Sequence, residues 1–152
     1  MGSLLALLLA VRIWSDAPPV VTVGVDPAFW DVAVQGGDAW NLAVDFAYVE
    51  GCGNGTLNVC WGDPAIYQPG WVSGYLPDEH LIMVWIPDLF TPAVACHEFG
   101  HALGLWYERY DDLSCMHWSL PSHAYPDDQD LAALGIEVIW PTHDGTGGPS
   151  WK

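Results

Sequence analysis

The stretch from Thr91 to Gly104 constrains this chain more than any other. Thr91-Pro92 sets an N-cap hydroxyl before a proline suited to the first helical position. Gly104 suits the left-handed residue just past a helix end. Together they predict a helix running to about Leu103. Inside it lies His97-Glu98-Phe99-Gly100-His101. Residues four apart on a helix leave from one face, about 40° apart around the axis. Two neutral imidazoles so placed reach one ion, and nitrogen ligands at roughly 2.0–2.1 Å suit Zn2+. Glu98 is adjacent and can accept a proton from a zinc-bound water, whose pKa falls to around 7. HExxH on a helix is the pattern of a metal-dependent peptidase. The competing interpretation is a surface helix with two solvated histidines. Cys96 is disfavoured as a ligand because it lies about 100° from His97 around the helix.

The remainder must supply a body for that helix. With 152 residues, 51% apolar and 13% aromatic, the chain suits one domain with its own core, and wholesale disorder is excluded. Three Lys+Arg against nineteen Asp+Glu give a formal charge of −16, which argues against nucleic acid and anionic membranes as partners. The apolar run Leu4–Val11 is too short to span a bilayer. Ser15-Asp16-Ala17 places small residues at a candidate cleavage site, so 1–17 reads as a signal peptide or short hydrophobic leader. No Lys or Arg precedes the run, and Pro18 follows the cut, so an uncleaved tether or a buried first element are the alternatives. A catalytic domain over 18–141 and a flexible Gly- and Pro-rich tail over 142–152 complete the division. The four cysteines fit two disulfides in a secreted chain.

Val20–Val25 reads as a strand, and Asp26-Pro27 opens a helix along which Phe29, Ala33, Gly36, Trp40 and Ala43 recur. Gly36-Gly37 costs that helix roughly 2 kcal/mol of propensity, so it depends on tertiary packing. Thr56–Trp61 reads as a second strand, Gly62–Asp78 as loop and Leu81–Ile86 as a third strand. Pro126, Asp127 and Asp128 mark a last helix that Gly135 ends. Asn54-Gly55 suits a two-residue hairpin turn in whose register Cys52 faces Leu57. That hairpin and a Cys52–Cys60 bridge are alternatives. His80, His123 and His143 read as surface residues, the tryptophans as core and cleft wall, and Arg109 as a solvated charge rather than a partner of Asp111 or Asp112.

The run His97-Glu98-Phe99-Gly100-His101-Ala102-Leu103-Gly104-Leu105 resembles the active-site helix of the metzincin zinc peptidases, closest to the matrixin-like members. In that family a glycine turn follows the second histidine, and a methionine turn lies beneath the metal. Ser114-Cys115-Met116-His117-Trp118 resembles that turn. More loosely, Leu81–Ile86 resembles the strand lining the substrate cleft, the segment around Trp40-Asn41 the first long helix, and Asp130-Leu131-Ala132-Ala133-Leu134 the closing helix. The resemblance implies an α+β fold: a twisted, mostly parallel sheet, two long helices, and a small C-terminal subdomain after Gly104. It implies a monomeric zinc endopeptidase acting on protein or peptide substrates. His97 and His101 would hold Zn2+. Glu98 would act as general base and then return the proton to the leaving amine. Met116 would form a packing floor, and the backbone of Leu81–Ile86 would take substrate as an added strand. A Met turn under the helix would also bring Cys115 to Cys96, implying a Cys96–Cys115 bridge.

One departure stands out. The family's third ligand, His or sometimes Asp, follows the glycine by three residues, and that position is Tyr107. Counting back from Met116, a one-residue insertion places Glu108 there. A phenol has a pKa near 10, so a bound tyrosinate draws roughly 4 kcal/mol from the metal, whereas Glu is already ionised. Chemistry favours Glu108 and spacing favours Tyr107, with Asp111, Asp112 and His117 as further candidates. Two other interpretations follow: a degenerate metzincin-like module that binds metal or a protein partner without turnover, and a zinc peptidase of another clan whose third carboxylate comes from Asp127 to Asp130.

Overall fold

The computed structural model describes residues 20–106, 109–110 and 113–136. The leader over 1–17 and the tail over 142–152 lie outside them, as do Tyr107, Glu108, Asp111, Asp112 and His143. The chain order is β1 (Val20–Val25), α1 (Trp30–Asp38), β2 (Asp45–Glu50), β3 (Leu57–Trp61), β4 (Ser73–Leu76), β5 (Leu81–Val84), α2 (Pro92–Ala102) and α3 (Asp128–Ala133).

The strands form one five-stranded sheet in the order β2-β1-β3-β5-β4. β1 runs parallel to β2 and β3, and β3 parallel to β5. Only β4 is antiparallel, pairing Ser73 with Val84 and Leu76 with Leu81 at the sheet edge. This is an α+β fold with a mostly parallel sheet. The central strands bury Val23, Val25, Leu57, Val59, Ile82 and Val84, and their apolar runs made them readable.

The two helices behind the sheet are shorter than expected, at nine residues for α1 and eleven for α2. Asp26 caps a short 3-10 turn, Pro27–Phe29, by accepting from the Ala28 amide at 3.0 Å, and α1 begins only at Trp30. It stops at Asp38, yet Trp40 and Ala43 are buried through a turn in which both the Ala43 and Val44 amides donate to the Trp40 carbonyl. Helix-like apolar spacing therefore outlasts the helix. Edge strands β2 and β4 were not legible, because most of their residues are only partly buried and carry no apolar run.

β1 lies between β2 and β3, so Asn54-Gly55 closes no hairpin. The connection is tied instead by a Cys52–Cys60 disulfide. The Asn58 carboxamide shapes it further, accepting from the Gly53 and Gly55 amides at 2.9 and 3.0 Å and donating to the Gly55 carbonyl. With the second bridge described below, two disulfides fit an extracellular protein. Among the described residues no helix is long and apolar enough to cross a membrane.

The paired glycines of α1 are explained by how closely α1 approaches α2. A Cβ on Gly36 would lie 2.4 Å from the Ala95 Cβ and 2.7 Å from the Cys96 amide nitrogen. At an open helix site Gly→Ala gains about 1 kcal/mol. Here the neighbour is backbone that carries the His97 segment and cannot swing aside, so Gly36→Ala should instead destabilise by about 1–3 kcal/mol. Thermal unfolding followed by circular dichroism reads the sign directly.

Candidate metal centre

Local signals place α2 as the sequence led us to expect. The Thr91 hydroxyl accepts from the Val94 amide at 3.3 Å, and Pro92 occupies the first turn. At the other end Gly104 adopts φ +104°. Its amide donates to the His101 carbonyl at 2.9 Å, and the Leu105 amide donates to the Gly100 carbonyl at 3.0 Å. These are the two bonds of a Schellman turn. The turn reverses the chain so that the Leu105 carbonyl meets His101 Nδ1 at 2.6 Å. On the other imidazole, His97 Nδ1 meets the Cys115 carbonyl at 2.9 Å.

A carbonyl oxygen only accepts, so both Nδ1 atoms carry the proton. Each neutral ring then carries its lone pair at Nε2. The two Nε2 atoms face one another 2.9 Å apart, with ring planes at 89°. Two acceptors cannot bond each other, so this juxtaposition suits a cation between them. Nitrogen ligands at about 2.0–2.1 Å on a tetrahedral zinc stand roughly 3.3 Å apart, close to the spacing found. The donor set thus fits zinc. A shared proton fits less well, because His97 is pushed down to about 4, first by burial, then by His101 and His117, against an opposing pull from the Cys115 carbonyl.

That depression has a consequence for stability. Unfolded, His97 takes up a proton near its ordinary value of about 6.5; folded, it resists until about pH 4. Between those values the unfolded state binds more protons, so stability is lost as the pH falls. Urea unfolding of the metal-free protein at pH 7 and pH 4.5, compared with His97→Gln, should show wild type losing about 2–3 kcal/mol more on acidification.

Glu98 is 5% exposed beside this pair. The Ser73 hydroxyl, at the start of β4, donates to its Oε1 at 2.6 Å. Ser73 went unrecognised in the sequence, since a lone serine in an expected loop gives no signal. His97, Glu98 and His101 open onto a cleft of about 340 Å³ that residues 70–75 also line. The wall strand is therefore β4, not Leu81–Ile86. Both edges of β5 are taken, by β3 and β4, so its backbone has no edge for an added strand.

Beneath the helix, Met116 is fully buried against Gly100, where a Cβ would come within 2.3 Å of its sulfur. Cys96 and Cys115 are bridged, tying the Met116 turn to α2. The Trp40 indole adds another tie by donating to the Cys96 carbonyl at 2.9 Å. Ser114 accepts from the Met116 amide at 2.9 Å and donates to Asp130.

Arg109 is not a solvated charge. Its side chain is 10% exposed, and its guanidinium pairs with Asp127 and lies 3.7 Å from Asp130. Its amide also donates to the Met116 carbonyl at 2.8 Å. Asp127 and Asp130 form the capping box of α3 as well as pairing with Arg109. Neither lines the cleft. That committed network argues against either as the third ligand. His117 Nδ1 engages Ser119 at 3.1 Å, and His80 Nδ1 engages the Tyr75 hydroxyl at 3.1 Å. Among the described residues no third His, Cys, Asp or Glu completes a metal-binding group with the pair. The candidates favoured by spacing and chemistry, Tyr107 and Glu108, lie outside them. Compared with known proteins, the chain matches no protein-family model and no curated protein.

Proposed function

We propose that the protein is a zinc-dependent endopeptidase of the metzincin kind, with its centre on α2. The observation that carries this is the pair of Nε2 lone pairs converging at 2.9 Å, with the Glu98 carboxylate on the neighbouring residue. The glycine turn at Gly104, the methionine packed under Gly100 and the edge strand beside the cleft support the same interpretation.

Zinc held by His97 and His101, with Tyr107 or Glu108 as third ligand, would supply Lewis acidity toward a peptide carbonyl and acidify water. Glu98 takes the proton from the attacking water and hands it to the leaving amine. Ser73 fixes the rotation of that carboxylate through Oε1. The carbonyls of Cys115 and Leu105 fix the tautomer and ring orientation of the two histidines. Water attacks the scissile carbonyl carbon, the C–N bond breaks, and the products are a carboxylate and an amine.

Hydrolysis of denatured casein, with and without a chelator and in Glu98→Ala, tests this. Chelator-sensitive cleavage that disappears in the variant supports it. A second interpretation, a module that binds metal or a partner without turnover, draws on Tyr107 at the position the family gives to His or Asp. Stoichiometric zinc with no cleavage would favour that module.

A further inference from the structure

We propose that the cleft is built for cationic polypeptide, with Lys and Arg side chains of the substrate lying on its indole walls. This rests on the peptidase interpretation for the cleft being a substrate site, and adds the chemistry of what enters it. Three tryptophans reach the cleft from separate segments: Trp71 ahead of β4, Trp106 after the Schellman turn and Trp118 after the Met116 turn. Each keeps about half its surface in water, at 48%, 59% and 55%. The core does not need them, since Trp40, Phe99 and the central strands fill it.

Each ring has an aromatic neighbour. Trp106 lies nearly parallel to the His101 imidazole, at 19° and 6.0 Å, with Tyr75 at 6.0 Å. Trp71 meets Trp85 at 62° and 6.3 Å, and Trp118 meets Tyr110 at 6.1 Å. Indole faces at the rim of a reaction centre bind either apolar side chains or cations, the latter through the ring quadrupole.

Charge decides between the two. Nineteen acidic residues against three basic ones leave −16 over a small surface. Among the described residues Arg109 is the basic side chain, and it is buried against Asp127 and Asp130. The described cleft lining contains Glu98 and neither Lys nor Arg. The long-range field of so acidic a chain raises the encounter rate of cationic substrate, on the order of 10–10³ at most, and salt removes that gain. Cation–π contact on the walls is short-ranged and persists in salt.

The test uses the zinc-loaded full chain and matched fluorogenic peptides whose residues flanking the scissile bond are Lys/Arg, Gln or Glu. At low ionic strength kcat/KM for the Lys/Arg peptide should exceed that for Gln by about tenfold and that for Glu by about a hundredfold. In about 1 M salt the order should narrow but survive. There, Trp118→Leu and Trp71→Leu should each shrink the Lys/Arg-to-Gln ratio severalfold, and Trp118→Phe should keep part of it. Non-cleavable versions of the same peptides, read by fluorescence anisotropy, keep the two claims apart. Hydrolysis without charge order overturns this proposal and leaves the peptidase standing. Charge-ordered binding without hydrolysis overturns the peptidase, and with it the cleft as a substrate site, and leaves the indole walls as a binding site for cationic polypeptide. Charge order indifferent to both Trp→Leu changes overturns the indole walls, and neither binding nor cleavage overturns both claims.

Discussion

Glu98→Ala should lower kcat/KM for peptide hydrolysis by about a thousandfold, or roughly 4 kcal/mol of transition-state stabilisation, while zinc content stays at the wild-type level. Positioned acid–base groups contribute about 10²–10⁴-fold, and Glu98 would serve in both halves of the reaction, so its loss should fall no lower than the middle of that range. Its carboxylate is buried and already held by Ser73, so little of its orientation is left to be lost when substrate binds. Glu98→Gln keeps an oxygen for the Ser73 hydroxyl but cannot take the proton, so it should lose as much activity as the alanine variant. A merely structural Glu98 would behave differently: Gln would retain activity, and Ala would lower the melting temperature in proportion to its loss of rate. Retention of more than about a tenth of wild-type activity in either variant would place the base elsewhere.

The largest effect on stability is expected at Asp130. It is fully buried, donates nothing when ionised, and accepts from the Ser114 hydroxyl and the Asp127 amide while lying 3.7 Å from the Arg109 guanidinium. Removing one member of a buried ionic cluster strands the remaining charge, at a cost of about 3–5 kcal/mol. Asp127 still faces Arg109, so Asp130→Ala should fall near the lower figure and melt roughly 10 °C below wild type. The same change frees Ser114 from its partner, and Ser114 holds the Met116 amide. The neighbouring Cys115 carbonyl orients His97, so zinc affinity, read by chelator competition, should fall with stability. Gln129→Ala, exposed on the same helix, should stay within about 0.5 kcal/mol of wild type. A melting temperature for Asp130→Ala equal to that of Gln129→Ala would show the buried cluster contributes nothing.

What could be read from the sequence, and what could not, divides by the range of the interactions. The boundaries of α2 are set within a few residues, by Thr91-Pro92 and by Gly104, and HExxH lies between them, so the helix and the histidine pair were legible. Strands β1, β3 and β5 sit inside the sheet and announce themselves as apolar runs. The edge strands did not, because β2 and β4 face solvent along much of their length. The choice between hairpin and disulfide at Cys52 turned on β1 inserting between β2 and β3, which no local pattern records. Cys96–Cys115 followed only from the family resemblance, and the structure forms that bridge. Arg109 reads as an isolated charge until α3 brings Asp127 and Asp130 to it from about twenty residues away in sequence. Substrate was expected on β5; the pairing of β4 against it moved the accessible edge one strand outward.

The centre on α2 is tested most directly by metal content together with X-ray absorption at the zinc edge, on purified protein supplied with zinc and then dialysed. We expect one zinc per chain with at least two imidazole nitrogens at about 2.0–2.1 Å, and loss of that zinc in His97→Ala and in His101→Ala. A chain that retains no zinc after supplementation, or one whose zinc shell is unchanged by removing either imidazole, would contradict the account.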